Sequence, residues 1–246
     1  MKKDLCSICG CAKLKPRIEV KGDHVSTCQQ CGFMFVSCKT SDSDYSGSYD
    51  RVPKPSKFLK KRHFDLIEFL KKTGASRFLE IGSGFGGLAF LCRLEGISYV
   101  GVEPDSARQE FLESISINNI FGSHGDVDGS FDFILLDNVL EHVESPKMML
   151  LEISKLLSKD GKLLVIVPNR HDVRRISKRW RLKNFWIPHD HLSFFRSRDI
   201  EAILADSGLK LYSRFNYGSR VLRAVKRVFQ TVNVDVLALS LVFIKK

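Results

Sequence analysis

Four glycines follow a short apolar run within six residues. The run is Phe78–Ile81, and the glycines stand at positions 82, 84, 86 and 87. This pattern predicts a buried parallel strand ending in a loop whose backbone can approach a ligand, because a Cβ atom would block that approach. Leu88, Leu91 and Leu94 then recur at helical spacing. The loop should therefore open a helix whose first amides face the ligand.

An acidic residue follows the next apolar stretch, where nucleoside-binding folds place a ribose contact. The stretch is Tyr99–Val102 and the acid is Glu103, about 20 residues beyond the loop. A carboxylate there can accept hydrogen bonds from ribose hydroxyls. Strand, loop, helix, strand and acid in this order predict a nucleoside cofactor. The simpler alternative is that the glycines serve only a tight turn.

The segment Glu80-x-Gly82-x-Gly84-x-Gly86 resembles motif I of the class I S-adenosylmethionine-dependent methyltransferases. An acid ahead of the glycines suits a cationic methionine end and would repel a pyrophosphate, which favours this cofactor over a dinucleotide. Three downstream segments resemble the fourth strand of that family, the segment after it and the fifth strand; they are 131–137, 138–143 and 161–169. Within the second, Glu141-His142 is similar to a pair in small-molecule methyltransferases of the quinone-biosynthesis type.

The resemblance covers roughly residues 56–246. It implies an α/β, Rossmann-like fold, with a seven-stranded mostly parallel sheet, helices on both faces, and S-adenosyl-L-methionine as the cofactor. It also implies a set of cofactor contacts: Glu80, Gly82, Ser83, Gly84, Phe85, Gly86, Glu103, Pro104, Asp137 and Asn138. The adenine partner stays open between Asp126 and Ser123, because the chain is short after the third predicted strand.

Two Cys-x-x-Cys-Gly knuckles precede this region, at Cys6 with Cys9 and at Cys28 with Cys31. Two residues between thiolates place both sulfurs on one side of a tight turn, and two such turns can build a closed tetrahedral zinc site. A closed site is structural, and so small a segment needs one to be stable. Disulfides are the alternative, which a reducing cytosol opposes. We predict a zinc ribbon over 1–40, a linker over 41–55 and a methyltransferase domain over 56–246.

Three histidines are candidates for the chemical step, an in-line displacement assisted by removal of the acceptor's proton. His191 lies in a His-Leu-x-x-Phe segment that resembles one beside the acceptor pocket of this family, and is the preferred base or acceptor contact; His189 is the runner-up. His142 follows the predicted fourth strand at the ligand-binding edge, or has only a structural role. A divalent ion held by Glu141, His142 and His191 is a weaker alternative, because Asn138 replaces the first acid of the related metal-binding pattern.

The formal net charge of +11 is concentrated after the fifth predicted strand, where seven lysines and arginines lie between residues 170 and 183 with aromatic residues among them. This favours an anionic small-molecule acceptor, such as a sugar nucleotide or glycan precursor. We expect oxygen to be the atom that accepts the methyl group, with carbon and nitrogen as alternatives. An RNA substrate is the alternative, and a solvated helix face is the plainer interpretation. A second basic stretch, 219–229, is amphipathic and predicts packing on its own domain or peripheral membrane contact.

The chain has no apolar run near the roughly 18 residues of a membrane span, and its first residues lack an apolar signal region. We therefore expect a cytoplasmic protein. A non-enzymatic binding module that has kept the cofactor fold is a third possibility, against which the intact glycine loop and Glu103 argue.

Overall fold

The computed structural model describes residues 3–20, 22–39, 58–117, 120–177, 190–215 and 238–245. Within these ranges the chain forms a seven-stranded sheet with flanking helices and a second, four-stranded sheet. Four predicted features lie outside the described residues: His189, the linker 41–55, the basic residues in 178–183 and the amphipathic stretch 219–229.

The strands and helices of the described part are as follows, in chain order. The strands are β1 (Leu14–Val20), β2 (Asp23–Cys28), β3 (Met34–Cys38), β4 (Arg77–Ile81), β5 (Ser98–Val102), β6 (Ile120–Phe121), β7 (Phe131–Asp137), β8 (Leu157–Val167), β9 (Ser193–Phe194), β10 (Leu209–Arg214) and β11 (Leu239–Lys245). The α-helices are α1 (Lys61–Thr73), α2 (Gly87–Leu94), α3 (Ser106–Ser114), α4 (Pro146–Lys155) and α5 (Ser197–Ala205).

The large sheet has the order β10-β11-β8-β7-β4-β5-β6. Strands β4 to β8 pair in parallel, and β11 runs antiparallel to both of its neighbours. The predicted α/β fold with a mostly parallel, seven-stranded sheet is confirmed. The chain moves outward from β4 to β6 and then returns to place β7 on the other side of β4. This reversal creates a crevice at the carboxyl ends of β4 and β7, which is where open α/β sheets bind ligands.

Alternate residues of the central strands face opposite sides of the sheet, as the period of a strand requires. Leu79 and Ile134 pack with residues of α4 and α5. Phe78 and Phe133 pack with residues of α1, α2 and α3 on the other face. Both faces are therefore covered by helices, which explains why these strands are almost continuously apolar.

Local signals fix the helices near the crevice. The Asp105 carboxylate accepts a hydrogen bond from the Arg108 amide at 2.9 Å and caps α3. Pro146 is the first residue of α4, a position where its missing N–H costs nothing. Gly74 ends α1 in the left-handed conformation, with φ of 70°. These residues set where α1 ends and where α3 and α4 begin.

The cysteine-containing segment contributes three antiparallel strands to a sheet of order β1-β2-β3-β9. The fourth strand, β9, comes from the methyltransferase region, much later in the sequence. Met34 of β3 pairs with Phe194 of β9. Phe33 and Phe35 belong to the same buried cluster as Leu79 of the large sheet. The described part of the cysteine segment therefore shares a core with the methyltransferase region, whereas the boundary placed at residue 40 stays a prediction.

In the described ranges, no helix combines the length and the apolar character needed to span a bilayer.

Candidate active site

The glycine loop between β4 and α2 is held by the neighbouring strand β5. The amides of Gly82 and Ser83 both donate to the carbonyl of Val102, at 2.8 and 2.9 Å. Gly82 has φ of 78°, and a Cβ atom there would stand 2.5 Å from a methyl carbon of Val139. Gly86 caps α2 in the left-handed conformation, and a Cβ there would meet the side chain of Leu112. Both positions therefore require glycine.

Glu103 directly follows β5 and is 2% exposed. Its Oε2 accepts from the Gly84 amide at 2.7 Å, and its Oε1 accepts from the Asp105 amide at 3.1 Å. Burial raises the pKa of Glu103, although the two amides and the Arg108 guanidinium, 3.4 Å away, oppose that rise. A carboxylate has about four acceptor positions. Glu103 can therefore hold the glycine loop and still accept ribose hydroxyls.

A cavity of about 470 Å³ lies along the carboxyl ends of β4, β5, β6 and β7. This volume falls within the range of small-molecule sites. Five of the predicted cofactor contacts line it: Gly82, Glu103, Pro104, Asp137 and Asn138. The other five, Glu80, Ser83, Gly84, Phe85 and Gly86, are not among the described residues of its wall. The structure therefore brings the acid after β5 and the turn after β7 to the same cavity.

Glu80 lies within the sheet and is 6% exposed. Its Oε2 accepts a hydrogen bond from the Tyr99 hydroxyl at 2.7 Å, which links β4 to β5. Burial raises the pKa of Glu80 to about 8, while the Tyr99 hydrogen bond opposes this rise. Burial therefore favours the neutral form of Glu80, and its direct contact with a methionine group stays a prediction.

Asp137 ends β7 at the cavity and is paired with an arginine. Nη2 of Arg62, on α1, lies 3.1 Å from Oδ2 of Asp137, and the Asn138 side-chain amide donates to Oδ1 at 2.7 Å. Burial raises the pKa of Asp137, and the charge of Arg62 opposes this. Nε of Arg62 is buried and has no hydrogen-bond partner among the described residues. An arginine and a carboxylate side by side can bind the two charged groups of an amino acid.

Glu141, His142 and His191 come together beside the turn after β7. The two imidazole centroids are 5.0 Å apart, and one ligand atom from each of the three residues lies within 4.8 Å of the others. His142 lines the cavity. His191, which is 8% exposed, is not among the described lining residues. The preferred histidine of the sequence analysis thus lies beside the one that reaches the cavity.

His142 is oriented by Asp190, the residue directly before His191. Nδ1 of His142 lies 2.9 Å from the Asp190 carbonyl oxygen and 3.1 Å from its Oδ1. Burial lowers the pKa of His142, but the hydrogen bond to Asp190 and the charges of Asp190 and Glu141 outweigh it, so the pKa is raised. Burial also raises the pKa of Glu141 to about 7. A histidine with one nitrogen fixed by a carboxylate is a common arrangement for proton transfer.

The four knuckle cysteines also converge. Sγ of Cys6 lies 3.6 Å from that of Cys31, and Sγ of Cys9 lies 3.5 Å from that of Cys28. All seven cysteines are free thiols, so the disulfide alternative is not present in the structure. Four sulfurs around a tetrahedral zinc ion, each about 2.3 Å from it, stand about 3.8 Å apart. The donor set and its spacing therefore fit a closed zinc site.

Two arginines in the described part of the basic segment are bound to protein atoms. Nη1 of Arg170 donates to the Gly32 carbonyl in the second knuckle at 2.7 Å. Nε of Arg174 donates to both carboxylate oxygens of Asp172, at 2.9 and 3.1 Å. These two arginines stabilise the turn after β8 and its contact with the cysteine segment.

A methyltransferase-domain family model matches residues 56–214. The chain belongs to this family. Among curated proteins, the methyltransferase is 30% identical over 130 residues to the uncharacterized protein MJ1123 of Methanocaldococcus jannaschii. That match covers 51% of this chain and 60% of the relative, so the chain spans less than two thirds of the relative's length.

Solved methyltransferases share the fold at low sequence identity. The magnesium protoporphyrin IX methyltransferase ChlM of Synechocystis PCC 6803, with bound SAH, has a TM-score of 0.55 at 15% identity, over 81% of this chain and 90% of that chain. An S-adenosylmethionine-dependent methyltransferase of Clostridium acetobutylicum has a TM-score of 0.55 at 10% identity, over 76% of this chain and 92% of that chain. The methyltransferase therefore has the Rossmann-like fold of the S-adenosylmethionine-dependent enzymes.

Arg108, His124 and Met149 are among the residues of the cavity wall that were not predicted from the sequence. Arg108 lies on α3, His124 lies after β6 and Met149 lies on α4. These elements are far apart in sequence, and the order of the strands in the sheet brings them to the same cavity. Of the two predicted adenine partners, Ser123 lines the cavity and Asp126 is not among the described lining residues. Ser123 and its neighbour His124 both line the cavity directly after β6, and the role of Ser123 toward adenine stays a prediction.

Proposed function

We propose that this methyltransferase moves the methyl group of S-adenosyl-L-methionine to an oxygen atom of an anionic small molecule, such as a sugar nucleotide or a glycan precursor. The observation that carries the proposal is that one cavity joins Glu103 to His142, whose ring is already held by Asp190. A ribose acid and a candidate base thus share one edge of the sheet.

The residues of the cavity fit this cofactor. Glu103 has acceptor capacity for the ribose hydroxyls. Asp137 lines the cavity, and its ion-pair partner Arg62, which is not among the described lining residues, would complete a pair of opposite charges for the ammonium and carboxylate groups of the methionine end. Gly82 has no Cβ atom, so the side chain of Val139 can pack against the end of β4. When bound, the sulfonium supplies an electrophilic methyl group and leaves as a neutral thioether.

In this proposal His142 takes the acceptor's proton. Because Nδ1 is bonded to Asp190, Nε2 is the nitrogen that receives the proton as the acceptor's O–H bond breaks and the new O–C bond forms. Oε1 of Glu141, 3.8 Å from Nε2, stabilises the resulting imidazolium. His191 then acts as a packing neighbour of the His142 ring, a role that differs from the one preferred on sequence alone.

The charge of the chain supports an anionic acceptor, since +11 is a large excess for 246 residues. RNA stays the alternative acceptor. In the described part of the basic segment, Arg170 and Arg174 are bound to Gly32 and Asp172, so this part gives RNA no specific support. The small-molecule proposal therefore takes precedence.

We further propose that Cys6, Cys9, Cys28 and Cys31 hold a structural Zn²⁺. The carbonyls and amides of the two knuckles already form the tight turns that such a site needs: the Gly10 amide donates to Cys6 and the Gly32 amide to Cys28, both at 2.9 Å. Cysteines kept reduced as zinc ligands also support a cytoplasmic location.

Labelled S-adenosylmethionine, incubated separately with nucleotide sugars, lipid-linked glycans and RNA, identifies the acceptor class. We expect label on a nucleotide sugar or glycan. His142→Gln should lower turnover by at least about 100-fold, while its affinity for S-adenosylhomocysteine in calorimetry stays within about twofold of wild type. His24→Gln, on the distant strand β2, is the matched control and should retain full activity.

Three results would change this conclusion. Full activity of His142→Gln would exclude His142 as the base. Activity that disappears on chelation and returns with Mg²⁺ or Mn²⁺ would favour the ion held by Glu141, His142 and His191. Label on RNA, with an affinity that falls steeply as salt rises, would favour the nucleic-acid alternative.

A further inference from the structure

The residues of the cavity wall follow the order of the strands. Across β7, β4, β5 and β6 they are Asp137, Gly82, Glu103 and His124. On the proposed function, the ribose lies at Glu103, after β5, and the amino-acid end of the cofactor lies toward the glycine loop and the charges at Asp137. The base of the nucleoside must then lie on the other side of the ribose, at the residues after β6.

The described cavity wall contains two acids, Glu103 and Asp137, and both are bonded to groups away from the residues that follow β6. Glu103 is bonded to the amides of Gly84 and Asp105. Asp137 is paired with Arg62 on the opposite side of the cavity. In the described wall, neither carboxylate is therefore placed to bind the nucleoside base after β6.

The hydroxyl after β6 already accepts one hydrogen bond within its own loop, from the Gly125 amide to Oγ of Ser123 at 3.1 Å, which leaves it one further acceptor position. The neighbouring His124 has a ring with two nitrogens, and it belongs to the cavity wall. It is the side chain at this end best able to accept a hydrogen bond from a ligand.

One nitrogen of His124 is fixed by a carboxylate. Nε2 lies 2.8 Å from Oε2 of Glu152. Glu152 stands on α4, one turn beyond Met149, which lines the cavity from the same helix. A neutral imidazole that donates its Nε2–H to a carboxylate keeps Nδ1 as a hydrogen-bond acceptor. The 6-amino group of adenine is a donor, whereas hypoxanthine carries a carbonyl oxygen at that position.

We propose that His124, oriented by Glu152, determines the base specificity of the cofactor site by accepting a hydrogen bond from the 6-amino group of adenine. Glu152 is a positioning residue in this arrangement, since it acts through the imidazole. The pair selects adenine over a 6-oxo purine because Nδ1 attracts an amine and repels a carbonyl oxygen.

Calorimetry with S-adenosylhomocysteine and S-inosylhomocysteine tests the proposal without any acceptor. Wild type should prefer the adenine ligand, and His124→Ala should reduce the ratio of the two affinities by about 3- to 10-fold, the value of one hydrogen bond. Glu152→Ala should reduce the same ratio to a smaller extent, because the ring stays but loses its orientation. Asp126→Ala, the acid predicted from the sequence, is the matched control and should leave the ratio unchanged.

An unchanged ratio in both His124→Ala and Glu152→Ala would overturn the proposal. A reduced ratio in Asp126→Ala alone would also overturn it and assign the base to that carboxylate. If wild type bound neither ligand, the proposed function would fall and this assignment with it, a result readily distinguished from altered selectivity.

Discussion

Replacement of Phe33 by alanine tests whether the cysteine segment and the large sheet form one cooperative core. Phe33 follows the second knuckle and is 0% exposed. Its ring centroid lies 5.8 Å from that of Phe35 and 5.4 Å from that of Phe195, which follows β9. The cluster that contains it also includes Leu79 of β4. Removal of this ring therefore opens a cavity between the two parts of the chain.

The size of the effect follows from this burial. Truncation of a buried phenylalanine to alanine costs about 3–5 kcal/mol. In a domain of about 150–250 residues, each 1 kcal/mol shifts the melting midpoint by roughly 2–4 °C. Phe33→Ala should therefore lower the midpoint by about 6–20 °C. Phe64→Ala removes the same ring from a position that is 49% exposed and is the matched control, with an expected change below about 0.5 kcal/mol.

Differential scanning calorimetry measures the unfolding transitions of the chain. Hydrogen exchange followed by mass spectrometry reports the opening of the cysteine segment and of the large sheet separately. We expect a single transition, and faster exchange in Phe33→Ala both in β1–β3 and in β7–β8. Two separate transitions, with only the one that reports β1–β3 moved by the substitution, would refute the shared core.

Two further perturbations address the metal and a buried acid. Elemental analysis of wild type should find one zinc ion per chain, and Cys28→Ser should lose it. Cys92→Ser, at a buried cysteine of α2, is the control and should keep the zinc ion. Wild-type protein without zinc would contradict the site. Glu80→Gln keeps an acceptor for Tyr99 but removes a carboxyl whose pKa burial raises from 4.5 to about 8. The folded state favours the neutral form of Glu80, so the contribution of Glu80 to the free energy of unfolding is complete below pH 4.5. This contribution declines as the pH rises toward 8, by about 1.4 kcal/mol per pH unit and about 5 kcal/mol in all. Urea titrations from pH 5 to 9 should show a smaller decline in Glu80→Gln, and an equal decline would exclude a buried neutral acid.

The sequence predicts the central strands well, because their burial on both faces makes them continuous apolar runs. The segment predicted as the fourth strand, 131–137, is β7 with the same bounds. The run predicted from Phe78 is β4, which begins one residue earlier, at Arg77. Glu103 was located for the same reason, since it is the first polar residue after such a run. Each of these signals lies within one short stretch of the chain.

Side chains that meet only through the sheet order leave no comparable signal. His124 and Glu152 are 28 positions apart, and they pair because β6 lies beside β5 while α4 packs near the same edge. Strand β9 has two residues, too few to show a period of two, yet it joins β3 from the far end of the chain. Asp190 was not predicted as a partner of His142, because nothing in a local pattern ties residues so far apart.

The same non-local pairing connects the cysteine cluster with the candidate active site. The Val36 amide donates to the Leu192 carbonyl at 2.9 Å, directly after the segment with Asp190. Nζ of Lys147, at the start of α4, donates to the Ile8 carbonyl in the first knuckle at 3.4 Å. The cysteine segment thus contacts both the segment that orients His142 and the helix that carries Met149. Because a zinc ion would fix the two knuckles relative to each other, we expect its removal to loosen both of these contacts, although no cysteine is among the described lining residues of the cavity.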